Sequence, residues 1–149
     1  MSDVKIQSIG VCGAGTMGSG IAQLFAQYGF RTFLYDINFQ LAEKACEAIL
    51  KNWNQLAEKG KITAEQHLKA QQNLSVAKDL STLECDLAIE AIVEDTKVKH
   101  ELYQALNAFL PDNAIIATNT SSLSVSALAF GVKHPEGALP ECIFLIRPR

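Results

Sequence analysis

The stretch Ile9-Gly10-Val11-Cys12-Gly13-Ala14-Gly15-Thr16-Met17-Gly18-Ser19-Gly20-Ile21-Ala22 contains a short apolar run, a glycine-rich turn and the start of an apolar helical pattern. Gly13, Gly15 and Gly18 have the spacing G-x-G-x-x-G. In such a motif the first glycine permits a tight turn, the second lets the backbone approach a pyrophosphate, and the third lets a helix pack closely on a strand. By itself the spacing fits a phosphate-binding turn and a merely tight strand-to-helix turn equally well.

The composition is that of one ordinary globular domain. The chain has 149 residues, of which 48% are hydrophobic and 19% charged, and its net charge of −3 gives no reason to expect nucleic acid or an anionic membrane as a partner. No apolar run is long enough to span a membrane, and the N-terminus resembles a strand rather than a signal peptide. The four cysteines form no C-x-x-C pair, so we expect free thiols in a reducing cytoplasm and no metal site.

Strand and helix patterns alternate along the chain. Strands are predicted at 4–12, 31–35, 74–76, 86–93 and 114–118, helices at 15–28, 38–58 and 63–73, and a further helix after residue 93 that carries Val98 to Phe109. This alternation predicts an α/β fold, a Rossmann-type doubly wound parallel sheet with right-handed crossovers. The predicted apolar faces of the first and last helices are Ile21, Leu24, Phe25 and Tyr28, and Val98, Leu102, Ala105, Leu106 and Phe109.

Asp36 follows the second predicted strand and lies 18 residues after Gly18. Ligands of such sheets bind beyond the carboxyl ends of the strands, and a carboxylate near this position receives the ribose hydroxyls of an adenosine. Ile37, Asn38 and Phe39 come next, so no basic side chain there would neutralise a 2′-phosphate. This favours NAD over NADP. The alternative is an ordinary acidic residue at the start of a helix.

Two more polar groups follow strands. The first is Glu94-Asp95, which follows the fourth strand and precedes Lys97 and Lys99. These residues either contact a ligand or form the solvated first turn of a helix. The run 118–122 (Thr-Asn-Thr-Ser-Ser) either contacts a ligand or caps a short helix at 125–130. No nearby His–Asp pair could activate Ser121 or Ser122, which argues against acyl-enzyme chemistry.

Taken together, these motifs resemble the L-3-hydroxyacyl-CoA dehydrogenases, especially bacterial members that act on 3-hydroxybutyryl-CoA or 3-hydroxyadipyl-CoA. The resemblance runs in order to about residue 135. It rests on Gly13-x-Gly15-x-Met17-Gly18-x-Gly20-Ile21-Ala22, Asp36, Lys59-Gly60-Lys61-Ile62, Asp86-Leu87-Ala88-Ile89-Glu90-Ala91-Ile92-Val93-Glu94 and Ala117-Thr118-Asn119-Thr120-Ser121-Ser122-Leu123-Ser124.

The resemblance implies NAD-dependent oxidation of a 3-hydroxyacyl-CoA to a 3-ketoacyl-CoA in fatty-acid or related acyl-CoA metabolism. It implies that Asp36 binds the adenosine ribose, and that Glu94 and Lys99 contact the nicotinamide half. Ser121 would hydrogen-bond near the reacting carbon and help to seat both substrate and cofactor, and Lys59 would meet coenzyme A phosphates or simply be solvated. The residues implied to hold the pyrophosphate are Gly13, Ala14, Gly15, Thr16, Met17 and Gly18.

The sequence departs from the family pattern near its C-terminus. Family members carry a catalytic histidine in a His-Phe-Phe-Asn-Pro segment after the serine, and this sequence has no such segment. Permitted codons for residues 141–149, read after dropping two bases, encode Met-His-Phe-Phe-Asn-Pro-Ala-Pro. We therefore hypothesise an NAD-binding domain at 1–135 and an out-of-frame tail at 136–149.

This hypothesis has consequences for the domain organisation and the activity. The helical C-terminal domain of the family, with its homodimer interface, would be absent. We then expect weak NAD binding and no turnover by the chain alone. The alternatives are a 3-hydroxyisobutyrate-type dehydrogenase, against which the run 118–122 argues, and a non-catalytic NAD-binding remnant.

Overall fold

The computed structural model describes residues 5–119 of the chain. They form one parallel sheet with the strand order β3-β2-β1-β4-β5, which confirms the predicted doubly wound Rossmann-type fold. The elements are β1 (Ser8–Cys12), α1 (Thr16–Gln27), β2 (Arg31–Tyr35), α2 (Phe39–Glu58), α3 (Ala64–Asn73), β3 (Leu74–Val76), a 3₁₀ turn (Leu80–Thr82), β4 (Leu87–Glu90), α4 (Thr96–Phe109) and β5 (Ile115–Thr118).

The direction of winding reverses at β1. From β1 the chain proceeds through β2 to β3 on one side, and it then crosses back to place β4 and β5 on the other side. The carboxyl ends of β1 and β4 are neighbours, with Cys12 paired to Glu90. In open parallel sheets this reversal point is where a ligand crevice forms.

Apolar clusters cover the two faces of the sheet. One contains Val11 and Ile89 together with residues of α1, α2 and α3. The other contains Cys12 and Ala88, packed with Tyr103 and residues near α4. Because both faces are covered, every residue of β1 and β4 is buried.

The predicted bounds of β2 and β3 are confirmed, whereas β1 and β4 are shorter than predicted. Before β1, the backbone N–H of Gln7 donates to the Asp86 carboxylate at 2.9 Å instead of to a neighbouring strand. After β4, the N–H of Ile92 donates to the Glu90 carboxylate at 3.0 Å. Side-chain acceptors thus take over the backbone donors at both ends of this strand pair, and the ladder stops there.

Two helix faces differ from the prediction. Leu24 and Tyr28 were expected to be buried, but they are 42% and 74% exposed, and Val98 and Phe109 on α4 are 40% and 52% exposed. Ile21 and Leu106 are buried as predicted, but the other buried residues of these two helices are small or polar: Gly18, Ala22, Ala26, Lys99 and Tyr103. The prediction was wrong here because small residues let α1 approach the sheet closely, and because a polar partner on β4 draws α4 inward.

Candidate functional site

The predicted site residues of the described chain, apart from Lys59, gather at the carboxyl ends of β1, β2, β4 and β5. Backbone hydrogen bonds hold the segments that leave these strands close together. The N–H of Gly13 donates to Tyr35 O and the N–H of Ala91 donates to Cys12 O, both at 2.8 Å, while Asn119 N–H donates to Glu90 O at 2.9 Å. These bonds join each of the segments to a neighbouring strand of the sheet.

Two glycines of the motif are required by the protein itself. Gly13 has φ +112°, and a Cβ there would lie 2.3 Å from Ala91 O. A Cβ on Gly18 would lie 1.7 Å from Gly13 O. These contacts give the tight turn and the close helix packing that the spacing predicts.

Gly15 differs from both of them. Its φ is −71°, which any residue can adopt, and a Cβ built on it meets no atom of the protein within 4 Å. The protein's own packing therefore does not require glycine at position 15. Open space beside this backbone is what close approach by a pyrophosphate needs.

The first turn of α1 faces this space. Gly15 is the N-cap residue and has no side chain with which to cap the helix. By contrast, Asp95 caps α4 through the N–H groups of Lys97 and Val98. Uncapped N–H groups and the positive end of the helix dipole together favour an anion. Ala14 and Gly18 are buried, Gly15 and Thr16 are exposed, and Met17 is half-buried.

Asp36 links the end of β2 to both the glycine turn and the start of α2. Its Oδ2 accepts the N–H of Ala14 at 2.9 Å, which ties the end of β2 to the glycine turn. Its Oδ1 accepts the N–H of Asn38 at 2.9 Å, just before α2 begins. The carboxylate thus lies beside the turn, and each oxygen retains a lone pair that a ribose hydroxyl could use.

Glu94 and Lys99 occupy different environments. The Glu94 side chain is 47% exposed, whereas the Lys99 side chain is fully buried. The Lys99 Nζ atom lies 2.6 Å from Glu90 Oε1 and 3.7 Å from Glu94 Oε1. Of the pair, Glu94 is therefore the residue whose side chain reaches the surface, and Lys99 lies behind it in the interior.

Sequence reasoning missed Glu90, which is the centre of this arrangement. Its carboxylate is fully buried and accepts four hydrogen bonds. The donors are Lys99 Nζ at 2.6 Å, Ile92 N at 3.0 Å, Tyr103 Oη at 2.9 Å and Thr118 Oγ1 at 2.7 Å. Burial and the neighbouring Glu90 charge raise the pKa of Tyr103, so its hydroxyl stays a donor. The available signal was Glu90 itself, a charged residue with three apolar residues on either side in the run 87–93.

Two predicted residues lie apart from this edge or outside the described part. Lys59 is exposed and follows α2, in the turn that leads to α3. Ser121 lies outside the described residues, as do the tail 136–149 and His134. Thr118 and Asn119 are the last residues described before that serine.

The cysteines of the described part are free thiols. Burial raises the pKa of Cys85 to about 11 and raises that of Cys12 further. Within residues 5–119, no three His, Cys, Asp or Glu side chains are grouped so as to hold a metal ion. Over the same residues no helix combines the length and apolar character needed to cross a membrane.

Comparison with known proteins identifies relatives of this arrangement. Residues 8–140 match the family model described as 3-hydroxyacyl-CoA dehydrogenase, NAD binding domain. The chain is 37% identical over 134 residues to 3-hydroxyadipyl-CoA dehydrogenase of Escherichia coli, covering 89% of this chain and 28% of that protein. It is also 37% identical over 134 residues to a probable 3-hydroxybutyryl-CoA dehydrogenase of Bacillus subtilis, covering 89% and 47%.

The solved structures agree with the sequence relatives. The crystal structure of 3-hydroxybutyryl-CoA dehydrogenase from Escherichia coli superposes with a TM-score of 0.85 at 36% identity, covering 89% of this chain and 28% of that one. The chain thus spans less than half the length of these relatives. The order of strands, the glycine turn and the family match agree with one another, and the chain belongs to the family of NAD-binding domains of 3-hydroxyacyl-CoA dehydrogenases.

Proposed function

We propose that the carboxyl edge of the sheet binds NAD through the glycine turn, Asp36 and Glu94. The observation that carries this proposal is the contrast among the three motif glycines. Packing requires Gly13 and Gly18, whereas the space beside Gly15 is open at the uncapped start of α1. Gly13, Ala14, Gly15, Thr16, Met17 and Gly18 would hold the pyrophosphate.

The two ends of the cofactor would then lie at different strands. Asp36 lies beside the glycine turn, where its carboxylate would accept the adenosine ribose hydroxyls and its charge would repel a 2′-phosphate. Glu94 would border the nicotinamide half, with Lys99 holding it from inside. Bound NAD supplies the hydride acceptor of the reaction.

We further propose that the reaction served is oxidation of a 3-hydroxyacyl-CoA to a 3-ketoacyl-CoA, as part of acyl-CoA metabolism in the cytoplasm. The names of the relatives support a CoA-ester substrate. Ser121 would seat substrate and cofactor, and Lys59, exposed after α2, would contact coenzyme A phosphates. Residues 1–135 would be the NAD-binding domain, and sequencing the encoding DNA tests whether 136–149 is read out of frame.

Calorimetric titration with NAD and NADP tests the cofactor proposal. We expect the chain to prefer NAD, and Asp36→Asn to reduce that preference about tenfold, because a charge-assisted hydrogen bond is lost and a repulsion is removed. Asp112→Asn removes an exposed carboxylate in the turn before β5 and serves as the matched control. An Asp36→Asn variant with the same preference as the control would contradict the assignment.

A second candidate is a chain that binds NAD without turnover. The observation that favours it is the lack of a His-Phe-Phe-Asn-Pro segment in the sequence. The test is NADH oxidation with acetoacetyl-CoA, followed by the loss of NADH absorbance. NAD binding with negligible turnover would support this candidate, and turnover like that of an intact enzyme would exclude it.

A further inference from the structure

The buried carboxylate of Glu90 joins three segments of the strand-end edge. Through Ile92 N–H it holds the loop after β4, and through Lys99 it holds the start of α4. Through Thr118 Oγ1 it holds the end of β5, where Asn119 N–H also donates to Glu90 O. Two donors reach each carboxylate oxygen, so the group is fully satisfied.

Stability alone does not account for this arrangement. A buried ion pair is commonly no more stabilising than apolar residues of similar volume. Lys99 also lies in the first turn of α4, where the helix dipole disfavours a positive charge. The neighbouring positions Leu106 and Ala88 show that apolar contacts between α4 and the sheet are available at this interface.

The Lys99 ammonium group instead faces Glu94, the side chain proposed to border the cofactor. Lys99 lies between Glu90, which is fully buried, and Glu94, whose side chain is 47% exposed. Glu90 fixes the ammonium group, and the ammonium group attracts the Glu94 carboxylate from the inner side. Through Lys99, the buried Glu90 carboxylate thus contributes to the position of the Glu94 carboxylate at the surface.

We propose that Glu90 is a positioning residue for the nicotinamide half of NAD, acting through Lys99 on Glu94 and through Thr118 on the end of β5. This inference rests on the proposed function, because it assumes that NAD binds at this edge. The two halves of the cofactor then differ in their need for Glu90. The adenosine half is bound at β1 and β2 and does not require Glu90, whereas an ordered nicotinamide half does.

Two probes report separately on the adenosine half and the nicotinamide half of the cofactor when bound to the full 149-residue chain. ADP-ribose carries the adenosine and pyrophosphate without the nicotinamide ring, and the emission of NADH at saturation reports on the ring's surroundings. For Glu90→Gln we expect an ADP-ribose affinity within about twofold of wild type. We expect the emission of bound NADH to fall to near that of free NADH, because the ring is no longer held.

Two controls accompany this variant. Glu65→Gln makes the same exchange in the exposed pair between Glu65 and Lys69 on α3, and it should leave both readouts unchanged. Since Glu90→Gln leaves Lys99 with only the more distant Glu94, the variant could fail to fold. The double variant Glu90→Gln/Lys99→Met removes both charges, and we expect it to fold and to show the same loss of NADH emission enhancement.

The outcomes test the Glu90 proposal and the proposed function separately. Wild-type NADH emission in a folded Glu90→Gln or double variant overturns the proposal. So does a parallel loss of ADP-ribose affinity, which would indicate a general structural role. If the wild-type chain binds ADP-ribose but does not enhance NADH emission, the Glu90 proposal is overturned while the cofactor site is retained. If the wild-type chain binds neither probe, the proposed function itself is refuted.

Discussion

Replacing single glycines of the motif by alanine should separate folding from cofactor binding. In Gly18→Ala the new Cβ would lie 1.7 Å from Gly13 O, although such atoms normally stay about 3.3 Å apart, so the backbone must move by about 1.6 Å. The neighbour cannot simply rotate away, because Gly13 has φ +112° and is itself packed against Ala91 O.

The expected loss follows from two opposing contributions. Overpacking of a rigid interior costs up to about 3 kcal/mol, and alanine in a helix gains up to about 1 kcal/mol over glycine. We therefore expect Gly18→Ala to lower the free energy of unfolding by about 2 kcal/mol. For a chain of this size that corresponds to a fall in Tm of about 6–8 °C.

Two companion variants make the comparison decisive. Gly20→Ala adds a Cβ in open space within α1 and should raise the free energy of unfolding by about 0.5–1 kcal/mol without affecting NAD binding. Gly15→Ala also meets no protein atom, so its stability should change by less than about 1 kcal/mol. Its NAD affinity should nevertheless fall at least about tenfold, because the methyl group enters the space proposed for the pyrophosphate.

Urea unfolding and calorimetric titration with NAD measure both quantities. Trp53 is the chain's one tryptophan and is fully buried, so its fluorescence reports unfolding. Gly15→Ala binding NAD like the wild type would refute the placement of the pyrophosphate. Gly18→Ala with wild-type stability would refute the packing argument for the third glycine.

Acid stability and thiol reactivity provide two further predictions. Hydrogen bonds from the backbone of Gln7 and from Ser8 lower the pKa of Asp86, so its stabilising contribution is present above the unfolded pKa and is lost as pH falls through the folded value. We expect the free energy of unfolding, measured by urea titration, to decline below about pH 4, and we expect Asp86→Asn to make that decline shallower. The same pH dependence in the wild type and the variant would contradict this. At about pH 8, iodoacetamide should modify the half-buried Cys46 before the buried Cys85, whose pKa is raised to about 11; peptide mass spectrometry showing equal rates would count against it.

The sequence was sufficient for the features that depend on local backbone geometry. The spacing of Gly13 and Gly18 predicted a turn and a close helix contact, and both glycines have the packing that the motif requires. The stretch Thr63-Ala64-Glu65-Gln66 likewise has the sequence form of a capping box, and both hydrogen bonds of that box are present at the start of α3. In these cases the atoms that decide the structure are near neighbours in the chain.

The features that were missed depend on partners distant in sequence. Apolar periodicity assigned α4 a face containing Val98 and Phe109, yet Lys99 and Tyr103 are buried because both reach Glu90. Hydrophobic periodicity assigns a lysine to the surface, because it takes no account of the buried Glu90 carboxylate that Lys99 contacts.

The loop after β4 connects the two proposed halves of the cofactor site. Ala91 N–H donates to Cys12 O, and Ala91 O lies 2.3 Å from where a Cβ on Gly13 would be, so the loop packs against the glycine turn. One residue further, Ile92 N–H donates to Glu90 Oε1. The pyrophosphate turn and the charged cluster therefore contact the same short segment, although Glu90→Gln keeps a side-chain oxygen that can still accept the Ile92 N–H. Close packing of this kind transmits small shifts, so a change at Gly13 should affect both ends of a bound dinucleotide, whereas a change at Gly15 should affect only its middle.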